Sequence, residues 1–392
     1  DGEDGKLRWR KFVGYSKDLP PLRLEEGVLL SESASLEVFR CSETDGKVIW
    51  RAQIDEPFGQ PVSSGNEIYV STESGRLICL DVETGDSKWV AQIPQSLEVG
   101  PGIDDRANRA YVAGNHSNLY LVNTRDGSCL ESHYVGHEPG TISVAPIPLL
   151  GHVFVIVNQG SEYANMRVLR VDETGGDLKQ TQSFRLTGNV RVPPIIQGRR
   201  LIVLTDRGEV VVYDIEPTAE RDQVTEAAKL PAFYERPTST EMAVGRSQMW
   251  ITGTRIGRYE LQINTGRVIR DWSKHELDTF IGKPYSADDA LVYARVLRGT
   301  SAIRVTAADP KTGDEIWRTD VGVPVAMLSM PPGSNALQSV TTQAALFAID
   351  EEAQNSGSTT GSIENPGEKA VAIRFENPIA IDDTRSLMLN QV

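Results

Sequence analysis

Cysteine is scarce in this 392-residue chain: three residues, Cys41, Cys79 and Cys129, with no adjacent pair and no CxxC or CxxCH spacing. That removes the haem-attachment motif and the paired-thiol redox motif. An odd, sparse count neither demands nor forbids one disulfide, so it says little about the redox compartment. Positive charge is also short, with 40 Lys and Arg against 54 Asp and Glu and a formal charge of −14. A surface of that average sign repels nucleic acid and anionic lipid, leaving only a local basic patch as a route to either. Long apolar runs are missing too. The most apolar stretch, VAPIPLLGHVFVIV at 144–157, is broken by two prolines, a glycine and a histidine. It is too short to span a bilayer and reads as buried strands. The chain starts at Asp1 with no basic, apolar leader. A processed or trimmed product is therefore expected, and the missing leader says little about export. Nor is there a G-x-S-x-G elbow, a P-loop, or a G-x-G-x-x-G opening a helix.

What is present is a repeat. DGKVIW, TGDSKW and TGDEIW place Gly46, Gly85 and Gly313 four residues before Trp50, Trp89 and Trp317. Weaker copies keep the turn at Gly127, Gly175 and Gly266, the last with a displaced Trp272. These glycines are separated by 39, 42, 48, 91 and 47 residues. The long interval is about two periods of ~45, a length typical of propeller blades. The missing turn falls in RRLIVLTDRGEVVVYDIEP, residues 199–217, where an acidic insertion replaces Thr-Gly. Upstream, Gln60-Pro61, Gly100-Pro101, Ala145-Pro146, Pro193-Pro194 and Lys283-Pro284 each precede an alternating strand. Each unit therefore reads as four antiparallel strands, a sheet with two apolar faces that only stacked neighbours can cover. The tryptophan after the turn fills the wedge between blades while its N–H seeks an acceptor.

The expected fold is all-β: an eight-bladed propeller of four-stranded blades, or seven if the chain ends pair differently. The units fall at 20–57, 58–97, 98–139, 140–188, 189–237, 238–279, 280–323 and 324 onward. The last lacks a final strand. LRWRKFVG at 7–14, with Trp9, is expected to supply it and close the ring. Residues 1–392 then form one domain, interrupted by an insertion loop at 216–238 and a low-complexity mobile loop at 353–368. In the first of these, AERDQVTEAAKL is read as a short helix, followed by Phe233 and Tyr234 between prolines.

The stretch IYVSTESGRLICLDVETGDSKW resembles the repeat of the pyrroloquinoline-quinone-type β-propellers, with its G-x-L-x-x-L-D, T-G and x-x-W. The likeness covers most of the chain and is strongest in units two and seven. The family holds quinoprotein dehydrogenases and non-enzymatic eight-bladed propellers, including a lipoprotein of the bacterial outer-membrane β-barrel assembly machinery. Length and layout are similar to that scaffold. The resemblance implies a monomeric, non-catalytic scaffold in the periplasm or outside the cytoplasm, binding an envelope protein, with no nucleic-acid partner and no membrane-spanning segment. The alternatives are a ligand-sensing ectodomain of a larger receptor or kinase, and a degenerate quinoprotein dehydrogenase. A family quinoprotein needs an adjacent cysteine pair, a calcium or lanthanide site and a catalytic Asp. The cysteines here do not supply the pair, and no cofactor or metal is expected.

Candidate binding residues follow from position. Gln60, Arg191, Glu241 and Lys283 fall on innermost strands, where Arg191 and Lys283 could attract an acidic loop or sit solvated in a channel. Phe233 and Tyr234 either project toward a partner or tuck back onto the blade. His133 and His137, four apart, would share a helix face, but HYVGH lies in a strand-and-turn region and reads as polar strand ends. Asn115-His116-Ser117 matches a glycosylation acceptor that matters only in a eukaryotic secretory protein.

Overall fold

The computed structural model describes residues 19–171, 178–286, 289–296 and 302–322, and strands at 325–329, 337–341, 346–349, 375–382 and 385–390. Among them the one helical element is a 3₁₀ turn at Ile263–Thr265. No helix among them is long and apolar enough to cross a membrane.

Strands come in fours. The first group is β1 (Leu22–Arg23), β2 (Val28–Glu32), β3 (Glu37–Cys41) and β4 (Val48–Gln53), then β5 (Val62–Ser64), β6 (Glu67–Ser71), β7 (Arg76–Asp81) and β8 (Ser87–Gln92). Next are β9 (Gly102–Asp104), β10 (Arg109–Ala113), β11 (Asn118–Asn123) and β12 (Cys129–Tyr134), then β13 (Ile147–Leu149), β14 (His152–Gln159), β15 (Tyr163–Val171) and β16 (Leu178–Thr187). β17 (Ile195–Gln197), β18 (Arg200–Leu204), β19 (Val210–Ile215) and β20 (Val224–Leu230) precede β21 (Glu241–Val244), β22 (Gln248–Thr252), β23 (Ile256–Gln262) and β24 (Arg267–Lys274). β25 (Thr279–Ser286), β26 (Leu291–Val296), β27 (Ala302–Ala308) and β28 (Glu315–Gly322) follow. A three-stranded sheet, β29 (Val325–Ser329), β30 (Leu337–Thr341) and β31 (Leu346–Ile349), and a hairpin, β32 (Phe375–Asp382) and β33 (Arg385–Asn390), complete the chain. Within each group sequential strands are neighbours; the fifth and sixth groups are joined through one parallel pair, Lys229 opposite Arg267. This is a multi-blade β-propeller.

By contacts the chain divides into two compact units. One comprises Leu7–Met249 with Tyr259–Arg270; the other comprises Asp1–Lys6, Trp250–Arg258 and Asp271–Val392. Residues 7–14 with Trp9, and the stretch 353–368, lie outside the described residues.

In the larger unit, period-two alternation sends neighbouring side chains of one strand to different blades. Ile68 and Val70 of β6 pack with Val38 and Trp50 of the first blade, while Tyr69 between them packs with Ala110 and Val112 of the third. Likewise Tyr111 of β10 joins Val153 and Val155 of the fourth blade, and Phe154 and Ile156 of β14 join Leu201 and Val203 of the fifth. The middle strands are thus buried on both faces, whereas the outer β8 alternates exposed and buried positions.

The repeated turn closes by local chemistry. Asp81 Oδ1 accepts the N–H groups of Glu83 and Thr84, and Asp309 Oδ1 those of Lys311 and Thr312. Asn123 does the same for Arg125. Such Asx turns are what D-x-x-T-G encodes. A β-bulge precedes the turn in the same phase, at Arg40/Cys41, Cys79/Leu80, Leu121/Val122 and Ala307/Ala308.

The tryptophan seam follows from these turns. The Trp50 ring lies on Gly85, where a Cβ would come within 2.5 Å of it, and its Nε1–H donates to the Val82 carbonyl at 2.9 Å. Trp89 repeats this on Gly127, donating to Thr124 O at 2.8 Å. In the other unit the two tasks are divided: Trp272 covers Gly313, while Trp250 Nε1 donates to Pro310 O at 3.1 Å. The accepting carbonyl stands three residues before the glycine each time. Trp317 is half-buried on β28.

One expectation is corrected. The stretch read as a helix carries strand β20, in register with β19 from Val210 opposite Leu230 to Ile215 opposite Val224. Its Ala, Glu and Lys favour a helix, but Val224 and Ala228 are both 1% exposed against the blade core. Covering β19 outweighs propensities of well under 1 kcal/mol per residue. The insertion at 216–238 is accordingly two short connections flanking a strand.

Candidate protein-docking face

Four loops at one end of the fourth and fifth blades are knitted together: 158–162, 187–191, 205–209 and 233–240. At the centre is Thr205-Asp206-Arg207-Gly208-Glu209, the tight connection between β18 and β19. Glu209 is 1% exposed. Its carboxylate accepts the Thr187 N–H at 2.6 Å and the Thr187 hydroxyl at 3.1 Å, and pairs with Lys229 at 3.0 Å. These bonds offset the desolvation of a charge at that depth. Asp206, equally enclosed, accepts the Asn189 N–H at 2.8 Å on Oδ1. Its Oδ2 has no hydrogen-bond partner, and the exposed Arg191 guanidinium stands 3.7 Å away. Asn189 spans two blades, donating from Nδ2 to Gly160 O at 2.7 Å, with its own Oδ1 buried and unpartnered. Arg207 fastens the outside, donating to Glu235 O at 3.1 Å, Ser161 O at 3.3 Å and the Glu162 carboxylate at 3.1 Å.

Phe233 and Tyr234 tuck inward. Both backbone N–H groups donate to Arg207 O at 3.0 Å, and the Phe233 ring lies on Gly208, where a Cβ would approach within 2.6 Å. Phe233 thereby covers a turn glycine as Trp50 does. Its centroid is 4.4 Å from Tyr234 and 6.3 Å from Tyr259, the latter pair stacked. The aromatic pair stiffens the face, leaving Tyr234 half-buried and Glu235 and Arg236 exposed at its rim.

The other channel candidates are spread out. Gln60 donates to Pro20 O at 3.2 Å, with Oε1 buried and unpartnered. Glu241 is half-buried at the start of β21 in the larger unit, and Lys283 is exposed on β25 in the smaller. Inner strands of the second to fourth blades run backbone against backbone. A Cβ at Gly59 would meet Glu98 O at 2.6 Å, and one at Gly100 would meet Gln60 O at 2.8 Å.

His137 is 3% exposed and hydrogen-bonds through Nε2 to Gly114 O at 2.9 Å, while burial, ahead of the nearby Arg167, pushes its pKa down. His133 lies half-buried on β12. Asn115 Oδ1 and His116 Nδ1 are 2.7 Å apart. Cys41 and Cys79 are buried and Cys129 is exposed, all as free thiols. Among the described residues no group of three or more His, Cys, Asp or Glu is arranged to hold a metal.

Asp206, Glu209, Asn189 and Asn158 are absent from the sequence-based candidates. Their signal is faint: charged residues inside a tight turn look solvated by default. Only the neighbouring loops, Val190 N–H donating to Asn158 Oδ1 at 2.9 Å among them, put them under cover.

The repeat, the shared core between successive sheets and the tryptophan seam define a propeller of pyrroloquinoline-quinone-like repeats. A family model described as outer membrane protein assembly factor BamB matches residues 1–164 and 164–358, and the chain belongs to that family. An outer membrane protein assembly factor BamB of Burkholderia pseudomallei is 28% identical over 118 residues, a match spanning 29% of this chain and 30% of that relative's length. The crystal structure of BamB from Moraxella catarrhalis superposes with a TM-score of 0.57 at 16% identity, covering 84% of this chain and 92% of that one. A dihydro-heme d1 dehydrogenase, NirN, has a TM-score of 0.53 at 14% identity, covering 92% of this chain and 73% of that one. At such identities the two structures show the fold alone.

Proposed function

We propose that the protein is a non-catalytic docking scaffold of the bacterial envelope that serves outer-membrane protein assembly from the periplasmic side. The observation that carries this is the family match along nearly the whole chain. The knitted loop face supplies the physical means. Its backbone is held rigid by buried carboxylates, so a partner binds without first ordering a flexible loop. Arg191, Glu162, Tyr234 and Arg236 at its surface offer the mix of charge and aromatic area that protein interfaces favour. The likeness to NirN carries no catalytic reading, since a fold hosts unrelated functions and this sequence lacks the adjacent cysteine pair.

Capture of envelope proteins by the purified chain tests the proposal. A double variant, E235R/R236E, reverses two exposed charges at the rim and should keep the native melting temperature while losing partner capture by about tenfold or more. Equal capture by both proteins would remove this face from the reading. No enrichment of any envelope protein by the unaltered chain would remove the scaffold itself.

A further inference from the structure

Successive blades can be compared at the third-strand residue that stands just before the β-bulge. It is Cys79, Leu121, Val168, Val212 and Ala307 in the second, third, fourth, fifth and seventh blades, each 0% exposed. In the first blade it is Arg40, 3% exposed. The fold is served by a small or aliphatic side chain there, and a buried guanidinium is costly unless its N–H groups find acceptors. Those of Arg40 are only partly satisfied. Nε donates to Glu26 O at 3.0 Å, and Nη1 donates to Val82 O at 3.0 Å and to the Glu83 carboxylate at 2.7 Å. Nη2 makes no hydrogen bond among the described residues and keeps contact with solvent. A core position that breaks its own repeat and leaves a donor unused is where function is expected to override packing.

Arg40 lines a groove of about 750 Å³ bounded by the β1–β2 turn, the β5–β6 hairpin and the β7–β8 turn. The charges around it are uneven. Glu83 is committed to Arg40, and Arg23 stands 3.6 Å from Glu43. Glu25 and Glu26 are exposed at the rim, with no cation paired to either among the described residues. The groove therefore calls for an acceptor beside Arg40 and a positive charge at the rim. A main-chain carbonyl next to a basic side chain supplies both. A carboxylate or phosphate would satisfy Nη2 but meet Glu25 and Glu26, and a polyamine brings no acceptor.

We propose that this groove binds an extended, lysine- or arginine-bearing segment of a partner polypeptide, with a main-chain carbonyl on Arg40 Nη2 and the basic side chain at Glu25 and Glu26. First-to-second and third-to-fourth strand connections form the groove, whereas the centre of the loop face is a second-to-third connection. The two lie at opposite ends of their blades, and neither depends on the other.

Fluorescence anisotropy of a labelled Gly-Lys-Gly-Lys-Gly peptide, titrated with the full chain to about 1 mM, tests this. E25K/E26K reverses two exposed charges and should weaken binding about tenfold with an unchanged melt. E73K/E220K has the same net charge, is exposed and does not line the groove, and it should bind as the unaltered chain does. R40L gives the first blade the side chain of the third. Removing a positive charge beside a basic peptide would by Coulomb attraction alone tighten binding, so a loss of about tenfold reports the hydrogen bond. If R40L lowers the melt, E25K/E26K and the peptide comparison carry the test. Gly-Glu-Gly-Glu-Gly should not bind, and spermidine should compete weakly. No saturable binding, equal losses in E25K/E26K and E73K/E220K, undiminished binding by a folded R40L, or preference for the glutamate peptide or spermidine would each overturn the proposal.

Discussion

At the scale of single residues, the glycine under each aromatic ring is the most sensitive position in the repeat. Gly85 combines a φ of +76° with the Trp50 ring against its Cα. Gly85→Ala should therefore cost about 2–4 kcal/mol, from left-handed backbone strain and displacement of the ring together. Urea unfolding measures it, and a loss below that of an ordinary exposed Gly→Ala would refute the seam. Trp50→Phe should cost about 1 kcal/mol, since Val82 O retains the Arg40 guanidinium as a second donor at 3.0 Å. Turn carboxylates set the acid limit. Asp45 is lowered to about 2, chiefly by its hydrogen bond from the Lys47 side chain. Asp309 is held below the usual carboxylate range by the N–H groups of Thr312 and Lys311, and Asp126 by Ser128. Carboxyls depressed in the folded state stabilise it above their unfolded pKa and lose that contribution as pH falls through the folded value. The melting temperature should hold near neutrality and fall from about pH 4 toward pH 2. A melt that rises on acidification over that range would contradict the assignment.

At the scale of elements, turns and middle strands were legible because their determinants are local. Asp81, Thr84 and Gly85 close their own turn, and Ile68 to Val70 alternate between two blades whatever those blades contain. The strand β20 was not legible, because AERDQVTEAAKL favours a helix until β19 presents an edge to it. The same holds for Glu209, whose partners Thr187 and Lys229 lie about 20 residues away on either side. Glu209→Ala should cost about 2–4 kcal/mol, because it strands the Thr187 N–H and the Lys229 ammonium together. Glu209→Gln should cost less, since the amide oxygen still accepts from Thr187. A double-mutant cycle with Lys229→Met separates the ion pair from the backbone bond.

At the scale of the whole molecule, a propeller has few contacts between distant parts of the sequence apart from the closure between its ends. In the larger unit the second, third and fourth blades each share a core with the blade before and the blade after. Residues 7–14 lie outside the described residues, and from the sequence they are expected to close the ring. Removing residues 1–15 should lower the melting temperature by roughly 5–10 °C or more, since an entire edge strand and its tryptophan are lost. An unchanged melt would show that the ends pair in another way. The charge of −14 acts at this scale as well, opposing self-association at low salt.

The repeat length, the four-strand unit and the Asx-glycine turns were determined by the sequence alone, because each depends on residues within one repeat, whereas the ring on each turn comes from the preceding blade. The candidate docking face was decided by tertiary structure. Asn189, Asp206 and Glu209 are ordinary loop residues in the linear chain, and each acquires its burial and partners only when neighbouring blades bring their loops to one end. Short-range chemistry repeats and can be read by comparing copies. A site made once, from four different connections, has no second copy to compare it with.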